Sequence, residues 1–246
     1  LGRRLSVRLV AALVAATRAS ACGDDGGGEA TPSSTTTTTA TTTPVEETFP
    51  GVWPYATAAE ADGYTRGLVD ETYLDPVRTA REFMRRYIGM AAPVAGEYRA
   101  GDAQSGEVEV RPRAGSPFVT TVSVRRVSGD GSPWVVVSAA AEMVKLITPV
   151  ALEGIRSPVN VSGEASAYEG NVVAQVKEDG MEPGQFLGQE PLTAGSGPDL
   201  EPYSGPVAFT APTRTAGTVV VLTYSAEDDS VQQASVVRVR FERTST

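Results

Sequence analysis

The chain has 246 residues, a formal charge of −9 and a sequence pI near 4.7; 41% of it is hydrophobic, enough for one or two ordinary globular domains. It contains no histidine and one cysteine, which excludes imidazole-based Ser-His-Asp and Cys-His triads, His-ligated zinc, four-cysteine metal sites and an intramolecular disulfide. The acidic balance argues against tracking nucleic-acid phosphates, so the composition predicts a non-enzyme with no cofactor, no metal and no nucleic-acid partner.

Residues 1–22 read as an export signal. Arg3, Arg4 and Arg8 form a basic start, Leu9 to Thr17 form an apolar stretch too short to span a bilayer, and Ala19-Ser20-Ala21-Cys22 follows. This pattern resembles the signal and lipobox of bacterial lipoproteins, with Ala19 where that family prefers Leu. The resemblance implies that Cys22 carries a diacylglyceryl thioether, becomes the first mature residue and anchors the chain to the outer face of the cell membrane. The alternative is an ordinary cleaved signal with a stray cysteine. Cleavage before Cys22 removes four of the 21 basic residues and none of the 30 acids, leaving −13, a charge that anionic lipid does not attract.

Residues 23–49 read as a tether. Gly26-Gly27-Gly28 is followed by Thr31 to Thr43, where nine of thirteen residues are Thr and none is large and apolar. A flexible chain of this length reaches roughly 30 Å. The Thr cluster suits a plain spacer or, from composition alone, O-linked sugar. Nineteen Arg against two Lys looks like high-GC actinobacterial coding.

Residues 50–146 predict an α+β domain. Trp53-Pro54-Tyr55 forms a packing anchor. Asp75 is placed to cap a helix, Pro76 fits its first turn, and Val77, Ala80, Met84, Tyr87 and Ile88 recur at helical spacing until Gly89. Glu82 and Arg86 fall four apart on the expected wet side. Strand patterns follow at Glu107 to Arg111, Val119 to Val127 and Trp134 to Leu146. One helix ahead of antiparallel strands ending in Pro133-Trp134-Val135-Val136-Val137 resembles the cone-shaped NTF2-like domains of exported lipoproteins. That resemblance implies a cavity lined by Tyr87, Tyr98 and Trp134, while their size favours packing as core aromatics.

Residues 147–242 read as an all-β sandwich. A leading strand at 144–150, one near Phe186 to Leu192, and alternation at Val159/Val161, Val172/Ala174/Val176, Val207/Phe209, Val220/Leu222/Tyr224 and Val237/Val239/Phe241 give about seven strands, the size of an immunoglobulin-like fold. The alternating residues are the expected core, and Gly163 and Gly170 are read as bends or turns. Ser157-Pro158-Val159-Asn160-Val161-Ser162-Gly163-Glu164-Ala165 with Tyr168-Glu169-Gly170-Asn171-Val172 resembles the immunoglobulin-like domain of bacterial spore-germination and sporulation proteins. The resemblance continues through Pro206-Val207-Ala208-Phe209 to Val236 and Phe241. It implies a binding or assembly module without catalysis; the GerM-type domain that often precedes it is not recognised in residues 50–146.

The acid pairs Asp70-Glu71, Glu178-Asp179 and Asp228-Asp229 lie beside turn signals and read as solvated turns rather than a glycosidase dyad. Asp130 with Asp228 and Asp229 lacks the ligand series of a calcium loop. The expected function is therefore a lipid-anchored envelope module that binds an envelope protein or cell-wall glycan. The alternatives are a small-ligand carrier or His-independent enzyme using a cone in residues 50–146, and a structural spacer.

Overall fold

The computed structural model describes residues 49–242 apart from 67–70 and 183. The signal at 1–22, Cys22, residues 23–48 of the tether and Asp70 lie outside the described residues.

A helical layer comes first. Helix α1 (Ala58–Arg66) starts on a capping motif in which the Glu60 amide donates to Thr57 Oγ1 at 3.1 Å and the Glu60 carboxylate accepts from the Ala56 amide at 2.8 Å. A 3-10 turn (Glu71–Leu74) leads into α2 (Pro76–Phe83). Asp75 caps α2 as its position predicts, accepting from the amides of Val77 at 2.8 Å and Arg78 at 2.9 Å. The expected single helix to Ile88 instead widens into a π-turn (Met84–Ile88), which closes on Gly89 at φ 88°. Glu82 is not on a wet side: its side chain is 10% exposed, and Arg85 and Arg86 both donate to it. Those donors hold the Glu82 carboxyl below its ordinary value against the opposing effect of burial.

Four antiparallel strands follow: β1 (Val94–Ala100), β2 (Ser105–Arg111), β3 (Thr120–Arg126) and β4 (Trp134–Ala141). The run from Trp134 to Leu146 is two strands, because β5 (Val144–Thr148) leaves the first sheet for another. Then come β6 (Gly154–Ile155), β7 (Val159–Ala165), β8 (Asn171–Glu178), β9 (Gly188–Thr193), β10 (Glu201–Val207), β11 (Ala216–Tyr224) and β12 (Val231–Phe241).

One sheet runs β1-β2-β3-β4-β12-β11-β8-β9, with β6 parallel to the end of β12; the second runs β10-β7-β5. The seam between first and second regions is the β4–β12 pairing at Ala139 and Val236. The large sheet has a core on each face. Phe83, Met84 and Tyr87 of the helical layer pack against Val108, Val122, Val136, Val220, Leu222 and Val236. On the opposite face Val172, Val176, Val219, Val221 and Val239 pack against Val144, Val161 and Val207 of the second sheet, completing a seven-strand sandwich with β6 as an added short strand.

Strand β11 is therefore covered on both sides, and every residue from Ala216 to Thr223 is buried. This corrects the phase read from alternation: Val220 and Leu222 belong to the helical-layer core, and Val219 and Val221 face the sandwich. Gly163 is likewise no bend. It lies inside β7, where a Cβ would collide with the Tyr203 ring and the Lys145 carbonyl that Tyr203 Oη bonds at 2.8 Å. Gly170, at φ 69°, does end a turn.

Candidate functional site

Three side chains stand level across adjacent strands on the helical-layer face. Thr218 on β11 pairs in register with Lys177 on β8 and with Arg238 on β12, and all three are buried. The π-turn sets Tyr87 onto this row. Its hydroxyl shares a 2.6 Å hydrogen bond with Thr218 Oγ1, and Lys177 Nζ donates to the Tyr87 carbonyl at 3.0 Å while lying 4.2 Å from the Tyr87 ring centre. Arg238 grips Asp179 in a fork, Nη1 to Oδ1 at 2.9 Å and Nη2 to Oδ2 at 2.7 Å.

Burial governs the electrostatics of the row. It pushes the Lys177 ammonium from 10.5 down to about 8 and raises the Tyr87 phenol well above its usual range, against the lowering effect of the Thr218 bond. It also draws the Asp179 carboxyl upward, more strongly than the Arg238 fork pulls it down. Lys177 is only 2% exposed and so cannot meet a dissolved substrate; the row ties the helical layer to the sandwich sheet.

The aromatic trio does not converge on a cavity. Tyr98 meets Trp134 edge-on at 5.3 Å, with the Arg126 guanidinium 4.7 Å above the indole, whereas Tyr87 stacks on Phe83 at 5.3 Å. Phe83, Met84, Tyr87 and Met90 occupy the space between α2 and the sheet, each at most 4% exposed. The anchor at Trp53 is real, its ring lying 5.3 Å from Tyr73 and 6.1 Å from Phe83.

The acid pairs separate. Glu71 is exposed in its 3-10 turn, and Asp228 Oδ1 accepts from Ser230 Oγ at 2.7 Å beside Asp229 at φ 55°. Glu178 instead accepts from the amides of Thr213 and Arg214, and Asp179 is the buried ion-pair partner just described. The expectation of solvated turns thus fails at Asp179, whose partner is 59 residues away in sequence. Among the described residues, no cluster of three or more His, Cys, Asp or Glu is placed to hold a metal ion.

The surface carries one feature that sequence reasoning missed. Ile147, Val150 and Leu152 are 54%, 60% and 41% exposed, the first near the end of β5 and the others in its connection to β6. Leu152 sits at φ 63°, pinned there by its amide donating to the Arg238 carbonyl at 2.7 Å and its own carbonyl accepting from Arg240 Nε at 3.0 Å. Strand β5 ends the order of the second sheet, so its outer edge has no strand partner among the described residues. The outer strands are all interrupted in some way: β9 and β10 contain Pro191, Pro202 and Pro206, β1 is bulged between Ala95 and Tyr98, and β5 is bulged between Leu146 and Thr148, with its Val144 carbonyl accepting from Ser235 Oγ. The signal available in sequence was Leu146-Ile147-Thr148-Pro149-Val150, which holds more large apolar groups than one face can bury.

Residues 143–230 match the family model of the immunoglobulin-like domain of bacterial spore germination. The match covers β5 to β11 and stops short of β12. No curated protein and no solved structure matches the chain.

Proposed function

We propose that the chain is an exported lipoprotein, anchored to the outer face of the cell membrane through Cys22, whose immunoglobulin-like part binds an envelope protein without catalysis. The observation that carries this reading is the exposed apolar ridge of Ile147, Val150 and Leu152 at the end of β5 and just after it, inside the segment that matches the immunoglobulin-like family. The ridge gives a partner apolar contact. A ligand-carrying cone in residues 50–146 would need room between α2 and the sheet, which Phe83, Met84, Tyr87 and Met90 fill.

Capture from cross-linked intact envelopes tests the reading, using tagged full-length chain, a Val150→Glu variant and a Cys22→Ser variant. The wild type enriches a protein that Val150→Glu does not, and Cys22→Ser moves the chain out of the membrane fraction. Enrichment of glycan alone, or equal capture by wild type and Val150→Glu, overturns the docking assignment.

A further inference from the structure

We propose that one pole of the sandwich is a binding site for a small organic anion with an aromatic or branched apolar body. A cavity of about 660 Å³ opens there between β6 with its connection to β7, the connection after β10 and the end of β12. That volume falls in the range of roughly 300–1,000 Å³ typical of small-molecule sites.

The floor is apolar: Ile155 and Phe241 are buried, and Phe209 lies 5.7 Å from Phe241 with the rings inclined at 50°. The mouth is charged, with Arg156, Arg214 and Glu242 all exposed. Glu242 is engaged by Arg156 Nε at 2.6 Å, so these two rim charges offset each other and Arg214 is the guanidinium left at the rim to meet an anion. Arg214 Nη1 lies 3.8 Å from Glu60 and its charge also reaches the buried Asp179 carboxyl, contacts that leave other donors of the guanidinium for a carboxylate or sulfonate.

The walls are fixed in advance by side chains that bond to backbone. Ser157 Oγ accepts from the Phe209 amide at 2.8 Å. The Glu178 carboxylate accepts from the Thr213 amide at 2.7 Å, from Thr213 Oγ1 at 3.0 Å and from the Arg214 amide at 3.1 Å. These bonds hold the 209–214 connection against the sandwich, so little conformational freedom is left to lose when a ligand enters. A flat apolar body fills the slot over Phe209 and Phe241, and its negative group meets Arg214 at the rim.

The test uses the fluorescent anion 1-anilinonaphthalene-8-sulfonate and its uncharged relative N-phenyl-1-naphthylamine, titrated into the full-length chain. The sulfonate binds saturably with one site. Arg214→Gln weakens it about fivefold to tenfold without changing the uncharged probe, an effect of about the size of one charge-assisted contact. Ala211→Trp, which places an indole at the exposed mouth, abolishes binding of both probes while the unfolding midpoint stays put. Phe209→Ser weakens both probes by about tenfold or more. Val150→Glu, at the separate ridge, changes neither, so this site and the proposed docking surface stand or fall independently. Absence of saturable binding, equal loss of both probes in Arg214→Gln, or undiminished binding in Ala211→Trp overturns the assignment.

Discussion

Lys177 is one of only two lysines in the chain, and it is buried against a carbonyl and an aromatic face with no ion-pair carboxylate among the described residues. Asp179, two residues along, is engaged by Arg238. The pKa of Lys177 is depressed in the folded state, so between about 8 and 10.5 the unfolded chain holds more protons than the folded one. Stability therefore rises with pH across that window: the cost of burying the ammonium is full below pH 8 and disappears toward 10.5. The shift corresponds to a cost on the order of 3 kcal/mol. Lys177→Met is expected to raise the urea midpoint at pH 7 and to flatten the climb that the wild type shows from pH 7.5 to pH 9.5. A wild type with no climb would refute this account. The phenols of Tyr87 and Tyr203, raised by burial, pull the other way only at higher pH. None of this was readable from the sequence. Glu178-Asp179 looks like a turn pair, and only the fold brings Arg238 and Tyr87 to it.

At the scale of elements, legibility followed how local the determinant is. Asp75, Pro76 and Gly89 specify α2 and its π-turn through bonds made within a few residues, and the structure shows those bonds. Asp75→Ala is expected to lower stability by about 1 kcal/mol, seen as a reduced thermal midpoint, whereas Asp75→Asn, which keeps an acceptor, recovers most of it. Helix α1 was equally legible in principle, since Thr57 and Glu60 form a capping signature, but its mostly exposed residues give no apolar stripe. Strand β1 escaped because Gly96 and the bulge near Tyr98 break its alternation. The phase of β11 was misread for a different reason. In Val219-Val220-Val221-Leu222 both faces are apolar, so alternation has no preferred reading and the run marks a strand buried on two sides.

The described residues fall within one compact unit although they carry two cores. Strands β11 and β12 contribute to both, with Val220 and Val236 in one and Val219 and Val239 in the other, so neither core persists without the same two strands. Unfolding is accordingly expected to be a single transition. Tryptophan emission, which reports Trp53 and Trp134 in the helical-layer region, should superimpose on far-UV ellipticity, which reports the sandwich as well. Leu222→Ala should shift both probes together, by about 2–5 kcal/mol. Two resolved transitions would show that the seam at Ala139 and Val236 does not couple the halves. The sequence reading placed a boundary between residues 146 and 147, and the structure runs a sheet through the regions on either side of it.

The position of β12 between β4 and β11 also sets an order of events. As the chain emerges from its N-terminal end, β4 is made early and must wait with one side unzipped, and β11 then brings Val220 and Leu222 to the helical layer with no strand on its β12 side. Only when residues 231–241 appear can a single insertion close both gaps at once. A nascent chain halted before Val231 should therefore remain protease-sensitive along its whole folded length, rather than presenting a finished first half.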